Sequence, residues 1–430
     1  MKLSLKYPGL VLFAFLYIYM PPILLMNTMH FLAIIAYLLI LLNKEYRFND
    51  GRRYLQSLYL FLLVQSAYLF IVGILGTGSL MNAYDPLMYM LEGIPIAYVI
   101  SKKTILGRCS FVNIVISAGV LQGCISILAF LIPSIQQVII NRMLSYGYRE
   151  VVIFMAKVRM FGFSYTLPYA MPVAQSIICC LAIFLAINKS IKYIFCAGIL
   201  AFSAIINARI SIGIIGIGCF FIIFDKLRLG SGLKLRLIFA AVIFCISVNV
   251  LVGIVQKNSP KTYAWLTEAT RDIANFFTDQ DYEHTSYIAY ATNLEKYQLP
   301  SGMALIIGTG MISTRGNELY KSDIGYINDI WLGGILYVTL TYVYVISRIR
   351  ECFKIINRKK TISRIVLIGF FAMLAIANIK GRVLAFNEIM NLIYLIMIYL
   401  FTSDATKTSK TEDTHNGIEI YTSKGRSILR

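Results

Sequence analysis

Two arginines sit where a charge is costly unless it is used or paired, at the edges of long apolar runs. Arg209 interrupts Ile191–Phe224, which is otherwise apolar apart from Asn207-Ala208-Arg209-Ile210-Ser211. Arg159 lies in Lys157-Val-Arg159-Met-Phe-Gly162-Phe-Ser-Tyr-Thr-Leu-Pro168, directly before another apolar run. A guanidinium is always charged, and its planar fork binds phosphate oxygens bidentately, so both residues could hold a phosphate or diphosphate. The blander role of an arginine beside a span is an interfacial anchor. Asp323, in Lys321-Ser322-Asp323-Ile-Gly325-Tyr326, also stands immediately before an apolar run and could activate a hydroxyl as a general base. His284 competes for that task because an imidazole titrates near neutrality. Its neighbours Asp279, Asp281 and Glu283 equally suit a solvated helix start. Gly308-Thr-Gly310 precedes this stretch, and a lone Gly-x-Gly also reads as an ordinary turn.

The elements that position these residues are membrane spans. Of 430 residues, 58% are hydrophobic and 14% charged, against about one-half and one-quarter in a soluble domain. Mean hydropathy is +0.71, and a soluble enzyme is excluded. Apolar runs fall near 8–26, 28–42, 55–75, 87–100, 111–132, 168–187, 191–206, 210–224, 237–255, 325–347, 363–379 and 386–401. The expectation is an all-α polytopic membrane protein with about 12 transmembrane helices over residues 1–402. Residues 403–430 are expected to form a disordered cytoplasmic tail. The runs are apolar on every face, unlike the alternating strands of a membrane barrel.

Orientation follows from charge. The excess of 40 Lys and Arg over 21 acids, net +19, does not suggest nucleic acid, because the cations cluster in short loops between runs. With the N-terminus inside, roughly 27 of those 40 fall on the cytoplasmic side, as the positive-inside rule requires. Splitting Ile191–Phe224 into two short spans keeps the clusters at 226–236 and 348–364 inside, and it turns Arg209 outward. Two long external loops result, about 133–167 and 256–324. The second holds Trp265 and helix-like segments at Tyr263–Phe277 and Glu283–Tyr297, so it is expected to be folded. The N-terminal run lacks an A-x-A cleavage site and reads as a retained first span. The eight cysteines lie in apolar runs or basic loops, so neither disulfides nor a thiolate metal site is expected. Glu92 and Glu388 lie within runs and are expected to pair with an arginine or face a water-filled cavity.

In order, side and spacing, these motifs resemble the O-antigen polymerase (Wzy) family, part of a superfamily shared with the O-antigen ligases. There, an Arg-x-x-Gly…Pro stretch ends one large periplasmic loop and an Asn/Ser-x-Arg hairpin follows. A Gly-x-Gly…Ser-Asp-x-Gly-Tyr stretch ends the other loop. The likeness covers about residues 150–345 in motifs and the whole chain in topology. The Arg-x10-Gly repeats of some members are not found among the external arginines here.

The resemblance implies a metal-independent glycosyltransferase of the bacterial inner membrane, with both termini cytoplasmic. It would polymerise undecaprenyl-diphosphate-linked repeat units into O-antigen or a related surface polysaccharide, with no cofactor. Its partners would be the lipid-linked glycan donor and acceptor and membrane lipids. A chain-length regulator and a flippase are further partners the resemblance allows, and nucleic acid is not one. Arg209 and Arg159 would bind the diphosphate, Gly310 and Tyr326 would line the substrate site, and Asp323 or His284 would serve as base. The ligase is the alternative within the superfamily. A flippase or transporter fits less well, because the chain has no repeated halves.

Overall fold

A computed structural model of the chain describes residues 7–23, 28–46, 48, 51–76, 78–107, 109–145, 158–159, 161–166, 169–228, 253–268, 294–312, 322–359 and 363–403. All regular structure among them is helical. The α-helices are α1 (Tyr7–Tyr19), α2 (Thr28–Leu42), α3 (Arg52–Leu75), α4 (Met81–Met88), α5 (Ile94–Leu106), α6 (Phe111–Leu131) and α7 (Pro133–Leu144). They continue with α8 (Ala170–Asn188), α9 (Tyr193–Asn207), α10 (Ile210–Arg228), α11 (260–268) and α12 (Met303–Ile307). Last come α13 (Gly325–Lys359), α14 (Arg364–Lys380) and α15 (Glu388–Ser403). Five of them, α3, α6, α8, α10 and α13, are long and apolar enough to cross a membrane. Helices α1, α2, α9 and α15 are apolar but shorter. This is the architecture of a helical membrane protein. The run at 237–255 lies outside the described residues except for its last turn.

Lipid explains the outer faces. Leu60, Leu63, Ile71 and Ile74 on α3 are exposed, as are Phe220, Ile223, Phe224 and Leu227 on α10. Steps of three and four put each set on one stripe, an apolar surface that water would not tolerate. The interior is built from small residues. Helix α8 is buried along nearly its whole length, and its Ala, Ser and Cys side chains admit close neighbours. A Cβ on Gly218 of α10 would lie 2.3 Å from the Cys180 sulfur of α8.

Segments expected on the same side meet each other. At the end carrying the basic clusters, Gly51 lies against Thr402, and Lys226 Nζ donates to Asn188 Oδ1 at 2.5 Å. At the opposite end, called the loop end, the Tyr165 N–H donates to the Tyr19 carbonyl at 3.0 Å. Arg142 of α7 there donates to the carbonyls of Pro22 and Ile23, both at 2.9 Å.

Four boundaries differ from expectation. The first apolar run stops being helical at Tyr19, because Pro21 and Pro22 lack the N–H groups that would continue the ladder. The fourth run belongs to a longer helix, α4 to α5, joined by the π turn Tyr89–Gly93 just before Pro95. The loop expected at 348–364 is largely helix, since α13 runs on to Lys359 without a helix breaker. Helix α11 begins three residues earlier than the segment expected at 263, separated at Ser259 from the helical turn 253–258. The second expected segment lies outside the described residues except for the 3-10 turn Leu294–Tyr297.

The 35-residue α13 is broken at Gly334, whose backbone (φ 67°, ψ −176°) is not helical. The break strips carbonyls of their helical partners, and other segments replace them. Thr309 N–H donates to Trp331 O at 2.8 Å, and Gly310 N–H donates to Leu332 O at 3.0 Å. Tyr68 Oη from α3 donates to Gly333 O at 2.9 Å. Gly308-Thr-Gly310 is thus the piece that seals the helix break, where unpaired buried backbone is costly. A Cβ on Gly334 would meet Ile306 O at 2.2 Å. Gly334→Ala therefore combines backbone strain with a backbone clash and should destabilise by roughly 3 kcal/mol or more. Gly302→Ala is the control: it too has positive φ, but a Cβ there meets nothing within 4 Å. Thermal aggregation midpoints of the detergent-solubilised variants should fall much further for Gly334→Ala. Equal shifts would refute the clash.

Candidate functional site

The stretches 158–159 and 161–166 cross the loop end without regular structure. Their buried backbone groups must be paired, and side chains from distant helices pair them. Asn207, the last residue of α9 and fully buried, accepts from Phe161 N at 2.8 Å and donates to Phe161 O at 2.7 Å. Gln122 of α6, oriented to satisfy both groups, pairs the same way with the N–H and C=O of Phe163, each at 3.0 Å. Glu388 at the start of α15 accepts from the Ser164 hydroxyl and from Thr166 N, the latter at 2.5 Å. Thr262 of α11 donates to Val158 O at 2.7 Å. Side chains from four helices, together with the Tyr19 carbonyl at the end of α1, hold this one stretch of chain.

The clamp brings the two singled-out arginines together. Arg209 lies in the turn between α9 and α10, and its guanidinium sits over the Trp265 ring at 4.6 Å. Arg159 sits over the same ring at 5.5 Å. Both are within cation–π range, so one indole of α11 organises two cations from segments 50 residues apart. Arg209 Nη2 also donates to Glu268, one turn further along α11. The Arg209 side chain is only 12% exposed and its Nε has no partner, whereas Glu268 is 41% exposed. The fork of Arg209 is thus closed by a carboxylate that solvent or an anionic ligand can reach.

Asp323 lies just before α13, where Asn328 Nδ2 holds Ser322 O at 2.9 Å. Its carboxylate meets Lys380 Nζ at 2.6 Å and Lys296 Nζ at 3.7 Å. Burial, and next the Lys380 cation, hold Lys296 below the ordinary lysine value. Tyr326 is turned away to α14, where its hydroxyl donates to Ala375 O at 2.8 Å and its ring stacks on Tyr342. Gly310 accepts from Asn82 Nδ2 at 2.6 Å within the helix-break seal. His284 lies outside the described residues, as do Lys157 and Pro168. The two intramembrane glutamates have partners other than arginine. Glu92 meets His30 Nδ1 at 2.5 Å, and Glu388 holds the 158–166 segment.

The sequence alone does not single out Trp265 as the ring shared by both arginines, Glu268, the two lysines on Asp323, or Arg382. Arg382 follows α14 and pairs through Nε with Asp329 of α13 at 2.7 Å, with both side chains largely buried. It stands three residues beyond the apolar run 363–379, and like Arg159 it is a cation near a run. Comparison with protein-family models, with curated proteins and with solved structures returned no match.

Proposed function

We propose that this chain polymerises undecaprenyl-diphosphate-linked oligosaccharide units at the outer face of a bacterial inner membrane. The supporting observation is the convergence of Arg159 and Arg209 on Trp265 at the loop end. Two guanidinium groups at the head of the helices suit a lipid diphosphate, whose charge lies at headgroup level. In the reaction a hydroxyl of the acceptor sugar forms a bond to the anomeric carbon of the donor. The bond from that carbon to the diphosphate oxygen breaks, and the diphosphate leaves with the electron pair. Charge therefore grows on the diphosphate as the bond lengthens, and fixed cations there lower the barrier. Arg209 holds the diphosphate once Glu268 gives way, Arg159 assists, and Asp323 positions or deprotonates the acceptor hydroxyl. The donor and acceptor glycolipids are the substrates. A chain-length regulator and a flippase are the expected partners, and both termini are cytoplasmic.

The chemistry asks for no divalent ion, because arginines neutralise the leaving group. Purified protein given lipid-linked repeat units should make glycan ladders in excess chelator. Loss of ladders with chelator and rescue by one metal would overturn the metal-free mechanism. Transfer of a single preformed chain to lipid A core, without ladders, would instead identify the ligase.

A further inference from the structure

Helix α12 belongs to a long loop, yet it lies beside the apolar length of α3. Gly51, ahead of α3, is at the end carrying the basic clusters, so Leu75 ends that helix at the loop end. The 24 residues of α3 span about 36 Å, against a hydrocarbon core of about 30 Å. At most ~6 Å of the helix can therefore protrude from the core, and any tilt draws its end further in. Tyr68 stands seven residues before Leu75, about 10 Å along the axis, and so lies inside the core. Its hydroxyl donates to Ile307 O at 3.1 Å. Helical side chains lean toward the N-terminus, so this hydroxyl is no shallower than Tyr68 itself. Ile312 packs with Leu69 and Leu332 at a similar level.

The chain goes down and comes back on one side. Lys296, ahead of α12, reaches the carboxylate of Asp323 at 3.7 Å, and Asp323 stands at the loop-end start of α13. Between them the backbone descends along α13. Gln298 O accepts from Trp331 Nε1 at 2.8 Å. Ile306 O lies against Gly334, nine residues and about 14 Å along α13 from Gly325. Non-helical backbone survives in a bilayer only where protein supplies its partners. Here protein does so: Trp331 O and Leu332 O take the N–H groups of Thr309 and Gly310, and Gly310 O accepts from Ser79 N and Asn82 Nδ2. A loop in water would have water for these groups.

The side chains agree with the backbone. No charged residue lies between Lys296 and Arg315. Helix α12 has no buried residue: Met303 is 68% exposed and Ile306 52%. Leu299 is exposed too, as are Ile71 and Ile74 on α3 and Ile335 and Leu336 on α13, the two helices that hold the segment. Exposed apolar groups beside a lipid-facing stripe fit the same solvent as that stripe.

We propose that residues 297–312 form a re-entrant segment, which dips into the leaflet at the loop end and lays Leu299, Met303 and Ile306 against lipid acyl chains. The partner is the bilayer itself. Lys296 and Asp323 then stand above the apolar side chains, near headgroup level. This placement uses helix geometry alone and holds whichever reaction the chain performs.

The test puts a small fluorescent amino acid at position 303 or 306 of the full chain in nanodiscs, by codon suppression, so that the native cysteines stay in place. Ile71 is the lipid-facing reference, and the exposed Lys257 is the water-facing one. The quenchers are lipids with a doxyl group on the acyl chain, and iodide in the buffer. Both sites should lose as much fluorescence to doxyl lipid as position 71 does, and as little to iodide. Thermal midpoints near the parent's would show that the labelled proteins are folded. Quenching by iodide, as at position 257, overturns the proposal and makes the segment a surface loop. Quenching by neither also overturns it, because other protein then covers the face. Met303→Asp gives a second reading. A charge at so exposed a position is nearly neutral in water but costly in lipid. Its thermal midpoint should fall well below that of Met303→Leu, and equal midpoints would overturn the lipid contact.

Discussion

Arg209→Lys is expected to lower polymerisation roughly ten- to hundred-fold while protein abundance stays near that of the parent. The ammonium keeps the charge and can still pair with Glu268, so folding has little to lose. What goes is the planar fork and its stacking on Trp265, 4.6 Å below. A bidentate phosphate contact is not reproduced by a point charge. Losing a charge-assisted hydrogen bond of about 1.5–3 kcal/mol, if realised fully in the transition state, gives that range of rate. Glu268→Gln provides the reciprocal measurement. It removes the carboxylate that competes for the same fork, so the apparent KM for the lipid-linked donor should fall. Ladder length and initial rate at matched expression are the readouts. Arg209→Ala with full-length chains at normal abundance would reduce Arg209 to an interfacial anchor.

The spans were legible because lipid imposes a simple demand: long runs of apolar residues with every backbone group paired inside the helix. Runs bounded by charge, such as Arg52–Leu75 and Phe111–Leu131, were readable to within a few residues. Boundaries failed where hydropathy and helicity part company. Arg348–Lys359 is polar, yet no Pro or Gly ends the helix, so α13 leaves the apolar region and continues. Pro21-Pro22 does the reverse, ending the helix while the sequence is still apolar. Backbone chemistry, not hydropathy, decides both.

At the site, charge was readable and partnership was not. Arg159 and Arg209 stand out in any scan of the chain, because each is a cation beside apolar residues. Trp265 is their meeting point, but nothing in one sequence links position 265 to positions 159 and 209. Glu92 was visible as a buried acid, while its partner His30 lies 62 residues away on another helix. Gly308-Thr-Gly310 looked like a turn because its purpose depends on a second feature, the break at Gly334, that local spacing cannot connect to it. Asp329 carries no signal in the sequence, although its pairing with Arg382 ties α13 to the 381–387 connection.

Asn207 carries the second large effect, since it determines whether Arg159 reaches Trp265. Its amide does three things in a fully buried place: it accepts from Phe161 N and donates to the carbonyls of Phe161 and Ser203. Aspartate has nearly the same shape but no N–H. Asn207→Asp therefore keeps the acceptor and turns two hydrogen bonds into contacts between a carboxylate and carbonyl oxygens. Each buried carbonyl left unpaired costs about 1–3 kcal/mol, and the added buried charge raises the total further. A loss of roughly 3 kcal/mol or more is expected, read as a lower thermal aggregation midpoint in detergent. Arg159 is only two residues from Phe161, so the surviving protein should also lose polymerisation although both arginines are present. Asn207→Ala removes all three bonds without adding charge and should fall between the parent and Asn207→Asp in stability. If Asn207→Asp matches the parent in midpoint and in ladder length, the amide does not hold the 158–166 segment, and the convergence of the two arginines must come from α11 alone.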